Sequence, residues 1–514
     1  MFDWIARKSY SNKVISSSLN LDGYEPMPIA HQLRGVILRR IGQGQPVLPE
    51  IDGREEMKAD VIRALLSGSY PYLVSEEGTG KTRLARSLTR LLPPIPVIAG
   101  CPYHDDPKWP AELLCPRCKA SKNPAKEFGI ELVGGHRRFS RIQGNEYTNE
   151  AKVLGLKDIQ AIAQGRSPSD PRVFTGAGVF RANRGILMID ELPAIRTKVQ
   201  VLFHPILEEK KAILEEYNWQ HPLDLILIAT GNPQGFSHVN EIPRPLLDRV
   251  ELVYMDLPEE DVEKEIMLKE RFRVKQGHEA ELEASPPLPS PSEIARGVAA
   301  PWWIMDVVNK AVRYSRICPH VEKKASIRAT NKAIDHTYAS VEMEGRRVAG
   351  LRHAYHGLRL ALRGRVGLRV DLIDFDNAKK TFKLTDDLAA DFMWNAVEDM
   401  RGEGLLDNCE RDKLGPELGS LLAEGHSLDG KVPAPLLSQY GELSRTIRAM
   451  NRMAKGRVRS DLLSEVEAGL YHNRQAAAEL NYSAVEMLAN ICIHERFLDQ
   501  SQIGSIFIPQ KFKP

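Results

Sequence analysis

Apolar residues recur at a helical period over residues 55–66, where Met57, Val61, Ile62 and Leu65 fall on one face. Residues 70–74 then form a short apolar run that ends in a glycine-rich turn, and helical spacing returns over 82–92, so the order predicted is strand, loop, helix. Two more continuous apolar runs, 185–189 and 225–229, suit strands buried on both faces of a parallel sheet. Between them, 198–216 reads as a charged helix with acidic–basic pairs. The pattern predicts an α/β fold, a parallel sheet with flanking helices.

Pro26, Pro28, Pro46 and Pro49 predict loops and short pieces across an N-terminal extension, residues 1–50. The α/β core spans 51–275 and contains an insertion rich in Lys, Pro and Gly at 97–170. The proline-rich stretch 276–293 predicts a solvated linker. Beyond it, 294–370 is Arg-rich and helical, and 371–514 is mostly helical. Near 473–500 a helix, a turn and a second helix starting at about Ala484 are expected, followed by a short strand over 505–509. That order is read as a winged helix-turn-helix or as an interaction module.

Composition narrows the class. The 514 residues, 42% hydrophobic and 27% charged, are the balance of a soluble chain of two to four domains. A net charge of +2 supplies no global field toward nucleic acid. The basic run Arg346, Arg347, Arg352, Arg359, Arg363, Arg365 and Arg369 is therefore read first as a helical surface pairing with acidic neighbours, and second as a nucleic-acid surface. No secretory leader is legible at residues 1–15, and the longest uncharged apolar stretch, 91–100, is proline-broken and too short for a membrane span. A cytoplasmic address without membrane contact is expected.

The turn after the first strand reads Ser75-Glu76-Glu77-Gly78-Thr79-Gly80-Lys81-Thr82. Glycines let backbone N–H groups converge on a phosphate, and the following helix adds its positive end. Lys81 would reach β- and γ-phosphates, and the Thr82 hydroxyl would ligate Mg²⁺. Ser75 stands where the usual pattern has glycine. The run 186–191 ends in Asp190 and Glu191, one acid for the magnesium shell and one to polarise water. At the next strand tip Asn232 can orient that water or touch the γ-phosphate, and Arg249 can neutralise charge there from a neighbouring subunit.

These segments resemble the ATPase subunit of magnesium chelatase and, more loosely, MoxR-type AAA+ proteins. The matching text is EGTGKT at 77–82, ARSLTRLLPPIPVIAGCP at 85–102, FRANRGILMIDE at 180–191, LILIATGNPQG at 225–235 and RPLLDR at 244–249. The resemblance implies an AAA+ core with a helical lid at 294–370, ATP and Mg²⁺ as ligands, and ATP hydrolysis. It further implies Asn232 as sensor 1, Arg249 as an arginine finger acting in trans, and Arg328 in ASIRA at 325–329 as sensor 2. A hexameric ring and a partner with a von Willebrand A-type, Mg²⁺-binding domain follow from the same resemblance, with remodelling of a partner protein or metal insertion as the task. A DNA-directed AAA+ motor is the alternative.

Three of the six cysteines crowd into 101–118. Cys101, His104, Cys115 and Cys118 give C-x₂-H-x₁₀-C-x₂-C, two turns that each present two ligands to a structural Zn²⁺. Asp105 or Asp106 can replace His104 as the fourth ligand.

Overall fold

The computed structural model describes residues 21–75, 79–231, 240–259, 262, 286–294, 297–374, 377–407, 409–423, 428–457, 476–500 and 506–512. The chain divides into two compact units, Met1–Ile294 and Ala295–Pro514.

The first unit is built on a five-stranded parallel sheet. Its strands are β1 (Tyr70–Val74), β2 (Phe139–Gln143), β3 (Ile186–Asp190), β4 (Ile226–Gly231) and β5 (Val250–Tyr254), in spatial order β5-β1-β4-β3-β2. β1, β3 and β4 are buried along their whole length, as their unbroken apolar runs require. Each such Leu or Ile contributes about 1.5–3 kcal/mol by leaving water.

β2 lies inside the stretch expected to be an insertion. Its five residues alternate, with Ser140 and Ile142 inward and Arg141 and Gln143 outward, as befits an edge strand covered on one face. The true excursion from the sheet is smaller, an antiparallel pair of Ile95–Ile98 with Ile130–Val133 that brackets the cysteines. The charged stretch 198–216 also differs from expectation. Helix ends at Glu208, and Lys211–Leu214 pairs with Trp219–Pro222 as a β-hairpin.

Helix α1 (Ile29–Gly42) occupies the proline-flanked extension. Ile29, Leu33, Val36 and Ile37 give it a buried stripe that packs on α2 (Glu55–Leu66), and this stripe outweighs the flanking prolines. The described end of the proline-rich linker is not solvated but docked on α1: Pro289 lies against Gly35, and Arg39 Nε donates to Glu293 Oε1 at 2.6 Å.

The second unit contains helices α4 (Trp302–Tyr314), α5 (Ile327–Met343), α6 (Leu351–Leu362), α7 (Ala378–Asp399), α8 (Arg411–Ala423), α9 (Gly441–Arg457) and α10 (Ala477–His494). One apolar core runs from Val298 to Ile506, so the boundary expected at 370/371 falls inside a single packed body. α10 is a continuous 18-residue helix across the expected turn, and residues 506–510 form no strand. Its polar residues are internal hydrogen-bonding groups rather than turn formers. Asn481 Nδ2 donates to Val432 O at 3.0 Å, Ser483 Oγ to Ala349 O at 2.8 Å, and Glu479 and Glu486 accept the Arg347 and Leu351 N–H groups at 2.6 Å each. Two arginines of the basic run, Arg359 and Arg363, are buried against Asp386 of the same unit. Among the described residues no helix is long and apolar enough to cross a membrane.

Candidate functional site

β1 delivers the chain to the glycine-rich turn, expected to hold phosphates, at the carboxyl edge of the sheet, where ligands of open α/β sheets bind. Ser75, at the position where glycine is usual, is fully buried and its Oγ lies 2.7 Å from Thr79 Oγ1, closing the loop by a side-chain bond. Gly80 has φ +92°, a left-handed turn open to glycine, and it precedes α3 (Lys81–Ser87). Lys81 Nζ folds back on the Ser75 carbonyl at 2.9 Å, and Arg54 Nη1 holds the Thr79 carbonyl at 2.7 Å. Thr82 stands in the first turn of α3; Glu76, Glu77 and Gly78 lie outside the described residues.

The acids arrive on β3. β4 runs between β1 and β3 and is parallel to both, with Val74 opposite Gly231 and Ala229 opposite Ile189. The tip carrying Asp190 and Glu191 is thus two strand spacings, roughly 10 Å, from the Lys81 turn on the same edge. α3 also packs on β3. Asp190 Oδ1 accepts from Thr230 Oγ1 at 2.8 Å, and Oδ2 is engaged by Arg141 of β2. Glu191 has φ +56°, a strained left-handed conformation, and its N–H donates to Thr230 Oγ1 at 2.9 Å. Gly144 makes room for this turn, since a Cβ there would meet the Glu191 carbonyl at 2.1 Å.

Arg249 sits at the opposite edge. It immediately precedes β5, whose Val250 pairs with Tyr70, the first residue of β1, so it lies about 16 Å along the sheet from the Lys81 turn of the same chain. There its Nε bonds Glu208 Oε2 at 2.7 Å. Arg328 lies in the first turn of α5, in the second unit. Asn232 lies outside the described residues.

Residues 131–250 match the AAA domain of the dynein-related subfamily. The first unit carries this AAA-domain match on its parallel sheet. It resembles the magnesium-chelatase ATPase subunit: the chain is 30% identical over 201 residues to the magnesium-chelatase 38 kDa subunit of Acidiphilium rubrum, covering 37% of this chain and 54% of that protein. It is 27% identical over 258 residues to magnesium-chelatase subunit ChlI of Chlamydomonas reinhardtii, covering 46% and 58%, and 30% identical over 209 residues to ChlI of a Nostoc species, covering 39% and 51%. The chain therefore spans about half the length of these curated relatives.

A second cluster of candidate ligands lies in the excursion from the sheet. Ligand atoms of Cys101, Asp105, Cys115 and Cys118, all buried, lie within 4.8 Å of one another. His104 is not among them; its Nδ1 is 2.9 Å from the Asn183 carbonyl. Asp106 is also committed elsewhere, to a buried ion pair with Arg184 at 2.7 Å. Asp105 thus takes the fourth place. Its Oδ2 accepts the Cys115 N–H at 2.7 Å, while Oδ1 has no hydrogen-bond partner. Burial raises the Cys101 thiol, but hydrogen bonds from Cys115 and Cys118 outweigh it and bring the group down. Bonding to Cys101, aided by burial, pushes Cys115 and Cys118 up. Three thiols and a carboxylate that resist shared ionisation fit a divalent cation, which would let all four ionise together.

Sequence reasoning missed Arg141, which needed the β2–β3 pairing to be known. It also missed His221, fully buried on the hairpin before β4, with Nε2 3.5 Å from Asp105 Oδ1. Burial lowers this imidazole to about 4, so it stands neutral. No spacing rule links a histidine so distant in sequence to the cysteines.

Proposed function

We propose that the protein is an ATP-hydrolysing AAA+ motor subunit of the magnesium-chelatase type. The reading rests above all on the shared edge of β1, β4 and β3, which brings the Lys81 turn and the Asp190–Glu191 tip onto one surface. Lys81 and the Gly80 turn hold the phosphates, while Thr82 and Asp190 hold the Mg²⁺ shell. Mg²⁺ held by these residues would supply positive charge against the phosphates. Glu191 accepts the proton of the attacking water, Asn232 orients that water, and Arg328 reads the γ-phosphate from the same chain.

Arg249 serves a neighbouring subunit's site. Its position at the far edge of its own sheet supports this role, and with it a ring, hexameric in this proposal. The ring works on a partner protein, by remodelling or by metal insertion, through a von Willebrand A-type partner and in the cytoplasm. Cys101, Asp105, Cys115 and Cys118 hold a structural Zn²⁺ that fastens the excursion to the core. The DNA-directed alternative leaned on the zinc knot and on a helix-turn-helix, and continuous α10 withdraws the second of these supports.

The test is Glu191→Gln. Turnover is expected to vanish while ATP binding persists, and affinity purification of this form with ATP should retain the partner. Hydrolysis at the parent rate would overturn the role of Glu191.

A further inference from the structure

We propose that His221 is the orienting partner of the metal-binding carboxylate of Asp105, tying the cysteine knot to the arm that leads into β4. The inference rests on the metal reading of Cys101, Asp105, Cys115 and Cys118.

His221 is the third residue of the strand Trp219–Pro222, five residues ahead of Ile226, where β4 begins. Its side chain is fully buried, and its Nε2 faces Asp105 Oδ1 at 3.5 Å. Neither ring nitrogen has a hydrogen-bond partner, and neither does Asp105 Oδ1. Buried polar atoms are ordinarily satisfied, so an imidazole and a carboxylate oxygen that face each other with nothing else to bond are an incomplete pair. The ring is held in that attitude by Tyr103 and Trp219, with centroids at 5.4 Å from each, and by Phe180 at 5.9 Å.

A carboxylate that gives one oxygen to a metal needs the other fixed, or it rotates and releases the ion. The Cys115 N–H already holds Asp105 Oδ2 at 2.7 Å, and Nε2–H donation from His221 to Oδ1 adds the second anchor against rotation. Asp106, the next residue, is already locked to Arg184 at the foot of β3. Two consecutive aspartates thereby fasten the knot to the segments that feed β3 and β4, the strands that end at Asp190 and Gly231.

The test uses the full chain with zinc, reading zinc content by elemental analysis and the rate of zinc transfer to a chromogenic chelator. The parent, His221→Ala and His221→Gln should each carry zinc. His221→Ala should release it roughly 10- to 100-fold faster than the parent. His221→Gln, whose amide can still donate, should fall between them. Tyr217→Leu disturbs the same aromatic cluster at its Phe174 side and should release zinc at the parent rate.

Unchanged release from His221→Ala overturns the inference, as does equal acceleration in Tyr217→Leu. Complete failure of a folded His221→Ala to bind zinc makes the residue a ligand and overturns its orienting role. A zinc-free parent overturns the metal reading itself, whereas a zinc-bearing parent with unchanged release in the variant overturns this inference alone.

Discussion

Arg141 and Asp190 meet across adjacent parallel strands, the guanidinium of β2 resting on the carboxylate that ends β3. A cation from the protein thus occupies the acid assigned to the magnesium shell. Arg141 is more than a third exposed, so solvent screens the pair and its worth stays near 0–1 kcal/mol. Arg141→Gln should lower the Mg²⁺ concentration needed for half-maximal nucleotide binding by up to about fivefold. A magnesium titration with a fluorescent ATP analogue measures this. A higher requirement in the variant would mean that Arg141 aids the ion instead of competing with it.

The placement of Arg249 predicts complementation between subunits. Arg249→Ala alone should be inactive, because the group that neutralises transition-state charge is missing from every interface. Mixed with Glu191→Gln, it should regain activity at interfaces that pair an intact Glu191 with an intact Arg249. Steady-state phosphate release from mixtures of known composition checks this, with mixed assembly verified by mass. Verified mixed rings without activity would argue that Arg249 works elsewhere.

Ligand assignment in the knot is separable by substitution. His104→Ala should retain about one zinc per chain, whereas Asp105→Ala should lose most of it. Elemental analysis after dialysis distinguishes the two. The reverse outcome would return the fourth place to His104.

Glu486 predicts a pH dependence for the second unit. Burial raises its carboxyl from 4.5 to about 7, against the opposing pull of the Leu351 and Arg352 N–H groups. The folded state therefore holds this proton more tightly than the unfolded chain. The stability it brings is complete below about pH 4.5 and is lost as pH rises to about 7. The span is of order 3 kcal/mol at most. Glu486→Gln keeps a hydrogen-bond acceptor but cannot ionise, so it should be favoured over the parent more at pH 8 than at pH 5. Denaturant midpoints of both proteins at the two pH values test this, and an equal offset at both would show that Glu486 does not titrate in this range.

The glycine-rich turn after β1 and the two acids at the end of β3 were legible because both are local. A strand buried on both faces leaves an unbroken apolar run, and the turn's chemistry is contained within a few consecutive residues. β2 was not legible, since an edge strand carrying Arg141 and Gln143 outward looks like polar insertion until its neighbour is known. α10 misled for the opposite reason. Asn481 and Ser483 have turn-forming side chains, yet here they satisfy carbonyls of other segments inside a packed core.

By itself the sequence determined the α/β core, the order of its phosphate turn and acids, and the presence of a cysteine cluster, because each depends on residues close along the chain. Only the tertiary structure decided the fourth member of that cluster, the pairing of Arg141 with Asp190 and the distance of Arg249 from its own phosphate turn. The physical reason is competition for hydrogen bonds. The Asn183 carbonyl claims His104 and Arg184 claims Asp106, which leaves Asp105 to face the thiols, and such competition is settled by groups tens of residues away.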